Sequence, residues 1–228
     1  FNSSLRYKLI CKFAGIKEIN QYPLFEKKNQ HIVNTAKNFL KKILDVDVES
    51  NPKINIEKSE INNAIKEYVI NKHQINILLG VGGSGNTKRI PAKKFIEFIK
   101  MSRNQYDCRF FLATGTNHDE QKILNEILNS KYKSFCTPLD KIKIKKILPI
   151  IKNCKIAICN DSSFSHLSAA LDIPTIVLMS DTPLIYGSYS PKMYPLIPDG
   201  EKTVKHNTLG KDRINSEKIY EKFKKLIN

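Results

Sequence analysis

A run of polar side chains directly after a short apolar segment is the strongest chemical signal in this sequence. The apolar segment, Lys155 to Cys159, predicts a buried strand. The polar residues that follow it are Asn160, Asp161, Ser162, Ser163, Ser165 and His166. Hydroxyl groups, an imidazole and the free N–H groups at a helix start suit an anion such as a phosphate. The pattern predicts a ligand site where the strand ends, with Asp161 or Ser162 as the helix N-cap, although the same residues in isolation more often only cap a helix.

A glycine-rich loop follows a second predicted strand, Gln74 to Leu79. The loop, GVGGSGNTKRI, runs from Gly80 to Ile90, and Pro91 opens the next helix. Glycines let a backbone approach phosphate groups closely, and Lys88 and Arg89 add positive charge beside them. The residues that we expect to contact a diphosphate here are Gly82, Gly83, Ser84 and Lys88.

Two other phosphate-binding motifs match this loop in part. Gly80, Gly82 and Gly85 spell the GxGxxG of dinucleotide enzymes. In that motif the last glycine belongs to the helix, whereas here the segment 86–90 intervenes. A Walker A loop requires lysine where this chain has Asn86. A dinucleotide-dependent oxidoreductase is therefore a less favoured alternative, and a loop that serves only as a turn is another.

A third polar loop follows the predicted strand Arg109 to Ala113. It ends in Asp119 and Glu120, just before a predicted helix from Gln121 to Leu128. A carboxylate in this position can accept hydrogen bonds from a ribose diol. The alternative is that both carboxylates only complement the helix dipole.

Taken together, the loops resemble glycosyltransferase family 9, the lipopolysaccharide heptosyltransferases, from about Ile75 to about Pro191. The family's signature of an acidic residue, hydroxyl residues, His-Leu and small residues appears at 160–171, with Ser163 in place of the usual glycine. Its Lys-x-Trp-Pro step appears at 88–91, with isoleucine replacing the aromatic residue. A counterpart of its Gly-Pro-Thr-Asp-Pro segment appears at 180–183.

The resemblance implies a GT-B glycosyltransferase with an α/β fold, a Rossmann-like parallel sheet with helices on both faces. Such an enzyme would transfer a sugar, heptose being expected, with inversion from a nucleoside diphosphate to a lipopolysaccharide core or related glycan. The donor would be an ADP-sugar or a similar nucleotide-sugar, and neither a cofactor nor a metal is implied. The resemblance assigns the phosphates to Lys88, the ribose to Glu120, the adenine edge to Leu139, and the diphosphate and sugar to Asp161, Ser162, Ser163 and His166.

The same resemblance predicts the domain organisation. Residues 1–70 are expected to be a remnant of an acceptor-side domain, and residues 71–228 a nucleotide-sugar-binding domain closed by a helix from Ser216 to Ile227. It also places further chain, including the catalytic base, before Phe1. The chain as given is therefore expected to bind nucleotide without transferring sugar, and a non-catalytic nucleotide-binding module is the alternative.

The composition is strongly basic. Thirty-eight lysine and arginine residues against 22 aspartate and glutamate residues give a formal net charge of +16, which attracts anions. The expected partners are the nucleotide-sugar, the acidic glycolipid and, peripherally, an anionic membrane surface. Nucleic acid is not expected, because RNA-binding aromatic, zinc-ligand and helix-turn-helix patterns are absent from the sequence. Five cysteines without CxxC spacing and no run of membrane-spanning length predict a cytoplasmic protein, at most peripheral at the inner face of the inner membrane.

Overall fold

The computed structural model describes residues 4–22, 32–48 and 51–228. The chain divides into two compact units, residues 1–51 and 52–228. In the part of the chain that is described, no helix is both long enough and apolar enough to cross a bilayer.

The described part of the first unit contains two helices, α1 (Leu5–Phe13) and α2 (Ile32–Leu44). The amphipathic pattern of the sequence predicts the second helix from His31 to Leu44, and His31 lies outside the described residues. The ring of Phe39 on α2 packs edge-on against Tyr22, with 5.1 Å between the ring centroids. No residue of α1 is buried, and Phe13 is 89% exposed.

The second unit is built on a six-stranded parallel sheet, which confirms the predicted fold class. Its strands are β1 (Ile75–Gly80), β2 (Cys108–Ala113), β3 (Cys136–Pro138), β4 (Ile156–Asn160), β5 (Thr175–Leu178) and β6 (Met193–Leu196). The central strands are predominantly apolar because helices cover both faces of the sheet. The strand order is β3-β2-β1-β4-β5-β6.

Six helices surround the sheet: α3 (Lys58–Glu67), α4 (Ala92–Gln105), α5 (His118–Leu128), α6 (Ile144–Lys152), α7 (Ser163–Ala170) and α8 (Ser216–Ile227). Side chains alternate along β1, so Ile77 and Leu79 belong to one core and Leu78 to the other. On the first face Phe98 of α4 packs edge-on against Phe223 of α8, with 5.4 Å between ring centroids. On the second face Ile147 and other apolar residues of α6 fill the core.

The helix α3 belongs to the second unit, so the compact division falls earlier in the chain than the boundary expected near residue 70. Its buried residue Ala64 shares a core with α6. The Asn153 side chain also donates to the carbonyl oxygen of Ile61 at 3.2 Å. These apolar and polar contacts pack α3 against α6 and the residue that follows it. The assignment of the two units to acceptor and donor sides stays a prediction.

The strand order reverses direction between β1 and β4. From β1 the chain proceeds through β2 and β3 on one side, and then returns to β4 on the other side. The loops that leave adjacent strands at such a reversal diverge, and a crevice opens between them at the carboxyl edge of the sheet. These loops are the glycine-rich loop after β1 and the polar cluster after β4.

Candidate functional site

The glycine-rich loop and the polar cluster meet at this reversal. Asn160, the last residue of β4, is fully buried and donates through Nδ2 to the carbonyl oxygens of Val81 at 2.8 Å and Gly82 at 3.2 Å. A Cβ atom on Gly83 would lie 3.8 Å from Cβ of Ser162. The two loops therefore approach each other so closely that an added Cβ atom would fill the space between Gly83 and Ser162.

An ion pair joins the same two loops. Lys88 Nζ lies 3.0 Å from Asp161 Oδ2, and the two side chains are 27% and 6% exposed. A nearly buried carboxylate is stable when a cation compensates it. The pair places a lysine ammonium group, which can also contact an anionic ligand, at the edge of the crevice.

Glu120 connects the loop after β2 to the glycine-rich loop. Its Oε1 accepts a hydrogen bond from the Gly83 N–H at 2.7 Å, and its Oε2 accepts one from the Asn117 side chain. A Cβ atom on Gly82 would lie 2.4 Å from Oε1, and one on Gly115 would lie 2.3 Å from Oε2. Both glycines are thus required for the carboxylate to reach its position. Glu120 therefore does more than complement the dipole of α5.

Arg89 also holds the glycine-rich loop in place. Its guanidinium donates to the carbonyl oxygen of Gly83 at 3.2 Å and to Asp119 Oδ2 at 2.6 Å. The Arg89 side chain is only 9% exposed. Its positive charge is therefore used within the protein, and Lys88 remains the cation of this loop that is better placed for a ligand.

Several polar atoms around the crevice are buried without a hydrogen-bond partner in the described part of the chain. Ser162 occupies the N-cap position of α7, as predicted, but its side chain makes no capping hydrogen bond. The unpaired atoms near the strand ends are Ser162 Oγ, Asn160 Oδ1, Thr114 Oγ1 and Thr182 Oγ1. Buried polar groups are nearly always paired in native proteins, so atoms of this kind are suited to binding a polar ligand.

A histidine and a tyrosine form a pair beside the ion pair. His166 Nδ1 lies 2.8 Å from the Tyr189 hydroxyl oxygen, and the two rings are nearly parallel, at 10°, with 5.6 Å between centroids. Burial lowers the pKa of His166, the Asp161 carboxylate opposes this shift, and Lys88 reinforces it. Burial raises the pKa of Tyr189. The sequence predicts no role for Tyr189.

The segment after β5 supports the glycine-rich loop from the other side. Ser180 Oγ donates to the Thr87 carbonyl oxygen at 2.9 Å, and the Leu209 N–H donates to Asp181 at 2.8 Å. Lys211 Nζ donates to Asn86 at 3.3 Å. Sequence reasoning missed these contacts, because their partners lie in coil segments far apart along the chain.

The remaining predicted residues occupy different environments. Ser84 is exposed in the glycine-rich loop, and Ser163 is exposed as the first residue of α7. Leu139 is fully buried. Its N–H donates to Leu112 at 2.9 Å, and its carbonyl oxygen accepts from Ile142 at 3.0 Å. No hydrogen bond shown by the structure connects Leu139 to the crevice, and its role in ligand binding stays a prediction.

The chain matches a known protein family over a range that includes this site. The family model described as glycosyltransferase family 9 (heptosyltransferase) matches residues 19–222. Lipopolysaccharide heptosyltransferase 1 of Campylobacter coli is 26% identical over 145 residues, which cover 62% of this chain and 42% of the relative. The chain spans less than half the length of the curated relatives it matches.

Solved structures show the same fold. The E. coli ADP-heptose lipopolysaccharide heptosyltransferase II matches with a TM-score of 0.69 and 19% identity, covering 99% of this chain and 74% of that chain. An E. coli heptosyltransferase solved with ADP matches with a TM-score of 0.64 and 16% identity, covering 90% of this chain and 59% of that chain. At these identities the likeness concerns the fold.

Proposed function

Because the chain belongs to glycosyltransferase family 9, we propose that its second unit binds the nucleoside diphosphate of a sugar donor. The observation that carries the proposal is the crevice at the strand reversal, where Lys88, Asp161 and the start of α7 converge. A cation, free N–H groups at a helix start and unpaired hydroxyl groups together suit a diphosphate. A family relative solved with ADP supports the choice of an adenine nucleotide.

Several residues of the crevice have a proposed contact with the donor. Lys88 and the first N–H groups of α7 face the diphosphate, and the Glu120 carboxylate holds the ribose. Ser162 Oγ and Asn160 Oδ1, unpaired within the described chain, contact the phosphates or the sugar. During transfer Lys88 and the N-terminal end of α7 stabilise the negative charge that develops on the departing diphosphate.

The complete reaction that we propose is inverting transfer of a heptose-like sugar to a lipopolysaccharide core or related glycan. Removal of the acceptor proton by a base contributes typically 10² to 10⁴ in rate. None of the donor-loop residues is proposed as this base. Attraction of a chain with net charge +16 to phosphorylated glycolipid supports an acceptor at the cytoplasmic face of the inner membrane.

Calorimetric titration with ADP and with NAD tests donor binding. We expect ADP to bind and NAD to bind much more weakly. The start of α7 suits a diphosphate, whereas the glycine-rich loop differs from the dinucleotide-binding motif in the segment 86–90, which separates its last glycine from the next helix. Lys88→Met should weaken ADP binding, whereas Lys93→Met, which changes an exposed lysine on α4, should not. Tighter binding of NAD than of ADP would instead support an oxidoreductase.

A turnover assay with ADP-heptose and a lipid A core acceptor tests transfer separately. Release of ADP that requires the acceptor supports the proposed reaction. ADP binding without transfer is the outcome that the resemblance predicts for the chain as given, whereas robust transfer would refute that prediction.

A further inference from the structure

The hydrogen bond between His166 and Tyr189 restricts where the imidazole proton can lie. A phenol is both a donor and an acceptor, and each nitrogen of a neutral imidazole is one or the other. Nδ1 lies 2.8 Å from the Tyr189 hydroxyl oxygen. In the described ranges of the chain, the structure gives this hydroxyl no other hydrogen-bond partner.

The two possible arrangements differ in which group donates. If Nδ1 carried the proton, it would donate to the phenol oxygen, which is a weak acceptor. If the phenol donates to Nδ1 instead, a strong donor meets a strong acceptor, and the imidazole proton lies on Nε2. The second arrangement is favoured for this reason, and it leaves the Nε2–H without an acceptor among the described residues, so that this donor is available to a ligand.

The charged groups around His166 favour its neutral form. Its ring is half-buried, the charges of Lys88 and Asp161 act on it, and Tyr189 contacts its Nδ1. Burial and Lys88 both lower the pKa of His166, while Asp161 raises it, and the net shift is downward. At neutral pH the ring therefore carries one proton, and the partner of Nδ1 decides which nitrogen holds it.

We propose that Tyr189 is a positioning residue that fixes neutral His166 as its Nε2–H tautomer, so that the ring donates a hydrogen bond into the crevice. The acceptor is an anionic oxygen of the ligand, in our proposed function an oxygen of the donor diphosphate or its sugar. The identity of this ligand rests on the proposed function, whereas the tautomer does not. A neutral donor contributes the same hydrogen bond throughout the pH range above the pKa of His166.

Long-range ¹H–¹⁵N correlation spectra of the histidine rings test the tautomer directly in the full chain without ligand. His166→Gln identifies the His166 signals among those of the five histidines. We expect the neutral ring of the unmodified protein to carry its proton on Nε2. Tyr189→Phe should produce a mixture of tautomers and raise the pKa of His166, and Tyr194→Phe, a half-buried tyrosine on β6, should change neither. An Nδ1–H tautomer in the unmodified protein would overturn the proposal, whether or not the variants fold.

Calorimetry with ADP provides a second measurement with its own pH signature. Tyr189→Phe should weaken ADP binding at about pH 8 by the factor by which the Nε2–H fraction of the neutral ring falls, about twofold for an equal mixture of the two tautomers. The deficit should shrink near pH 6, because a protonated ring always carries an Nε2–H. A deficit that is equal at both pH values would mean that Tyr189 only supports packing. Absence of ADP binding by the unmodified protein would refute the proposed function, and the spectra would still decide the tautomer.

Discussion

The Lys88 ammonium group lies 3.0 Å from a carboxylate oxygen of Asp161, although the two residues are 73 positions apart in the sequence. Lys88 belongs to the loop after β1, and Asp161 follows β4. The ion pair thus bridges the two loops at the strand reversal. The two residues should contribute differently to folding stability and to ligand binding, because Asp161 is almost buried and Lys88 is partly exposed.

Replacing Lys88 with methionine should reduce both stability and ADP affinity. The substitution leaves the Asp161 carboxylate, 6% exposed, without its counter-ion, and an unsatisfied group of this kind costs about 1 to 3 kcal/mol. Urea unfolding and calorimetry measure the two effects. The double variant Lys88→Met/Asp161→Asn should recover most of the stability without recovering ADP affinity. Recovery of both would show that Lys88 acts only through Asp161.

Glu120→Gln should weaken nucleotide binding by about 1 to 3 kcal/mol, since an amide disturbs hydrogen bonds made by a charged group. The effect has two expected sources. One is the proposed contact with the ribose, and the other is the hydrogen bond that Oε1 accepts from the Gly83 N–H at 2.7 Å. Glu126→Gln changes an exposed carboxylate on the same helix and serves as the control. Unchanged ADP affinity in calorimetry would make Glu120 a structural residue of the loop.

Gly82→Ala should destabilise the second unit and disturb the site together. The new Cβ would lie 2.4 Å from Glu120 Oε1, 2.7 Å from Thr114 Oγ1 and 3.0 Å from the Thr114 Cα, so backbone must move. Overpacking of this kind costs about 1 to 3 kcal/mol. The unfolding free energy of Ser84→Ala, at an exposed position of the same loop, should stay within about 0.5 kcal/mol of that of the unmodified protein. Equal unfolding free energies for Gly82→Ala and Ser84→Ala would contradict the close approach of Glu120.

His166 should make the fold less stable in mild acid. The folded-state pKa of His166 lies below its ordinary value of about 6.5, so protons bind the unfolded state more tightly. Above that ordinary value His166 contributes no pH dependence. As the pH falls below it, stability is lost until the pH passes the folded-state pKa. His166→Gln should therefore lose less unfolding free energy between about pH 7.5 and about pH 5.5 than the unmodified protein does. His73→Gln, at an exposed histidine, should match the unmodified protein.

The buried cysteines should be inert toward thiol reagents in the native state. Burial raises the pKa of the Cys108, Cys136 and Cys159 thiols to about 12, and Cys154 is also buried. Because the thiolate is the reactive form, only the half-buried Cys11 should react quickly. A colorimetric disulfide reagent should therefore titrate one thiol before denaturation, and none quickly in Cys11→Ser. Rapid reaction of several thiols would contradict the burial of the strands.

The sheet and the meeting of its loops were predictable because they depend on local pattern and on parallel topology. Apolar runs predicted the central strands, and parallel strands bring their carboxyl ends to one edge. The limits of α8 were predicted as well, since Asn215 caps its amphipathic sequence by accepting hydrogen bonds from two backbone N–H groups.

Other helix limits differed from prediction for reasons visible in single residues. The helix α5 begins at His118, earlier than the expected Gln121, because the Asn117 side chain accepts a hydrogen bond from the Glu120 N–H. The sequence also predicts a helix from Glu60 to Lys72, but α3 ends at Glu67, and Val69 adopts a left-handed backbone with φ of 51°. The partner of His166 was not predictable, because Tyr189 follows two further elements of the chain and no periodicity marks it.

The register of the central strands has a consequence for how the protein folds. Ile77 of β1 pairs with Ile156 of β4, so joining these strands closes a loop that contains the whole intervening segment. Closing such a long loop is entropically costly and slow compared with pairing β1 to β2. An intermediate that contains only β1, β2 and β3 would hold the glycine-rich loop but not Asp161 or His166. Nucleotide binding should therefore appear only at the last long-range step of folding, and ADP should slow the reverse step, the separation of β4 from β1.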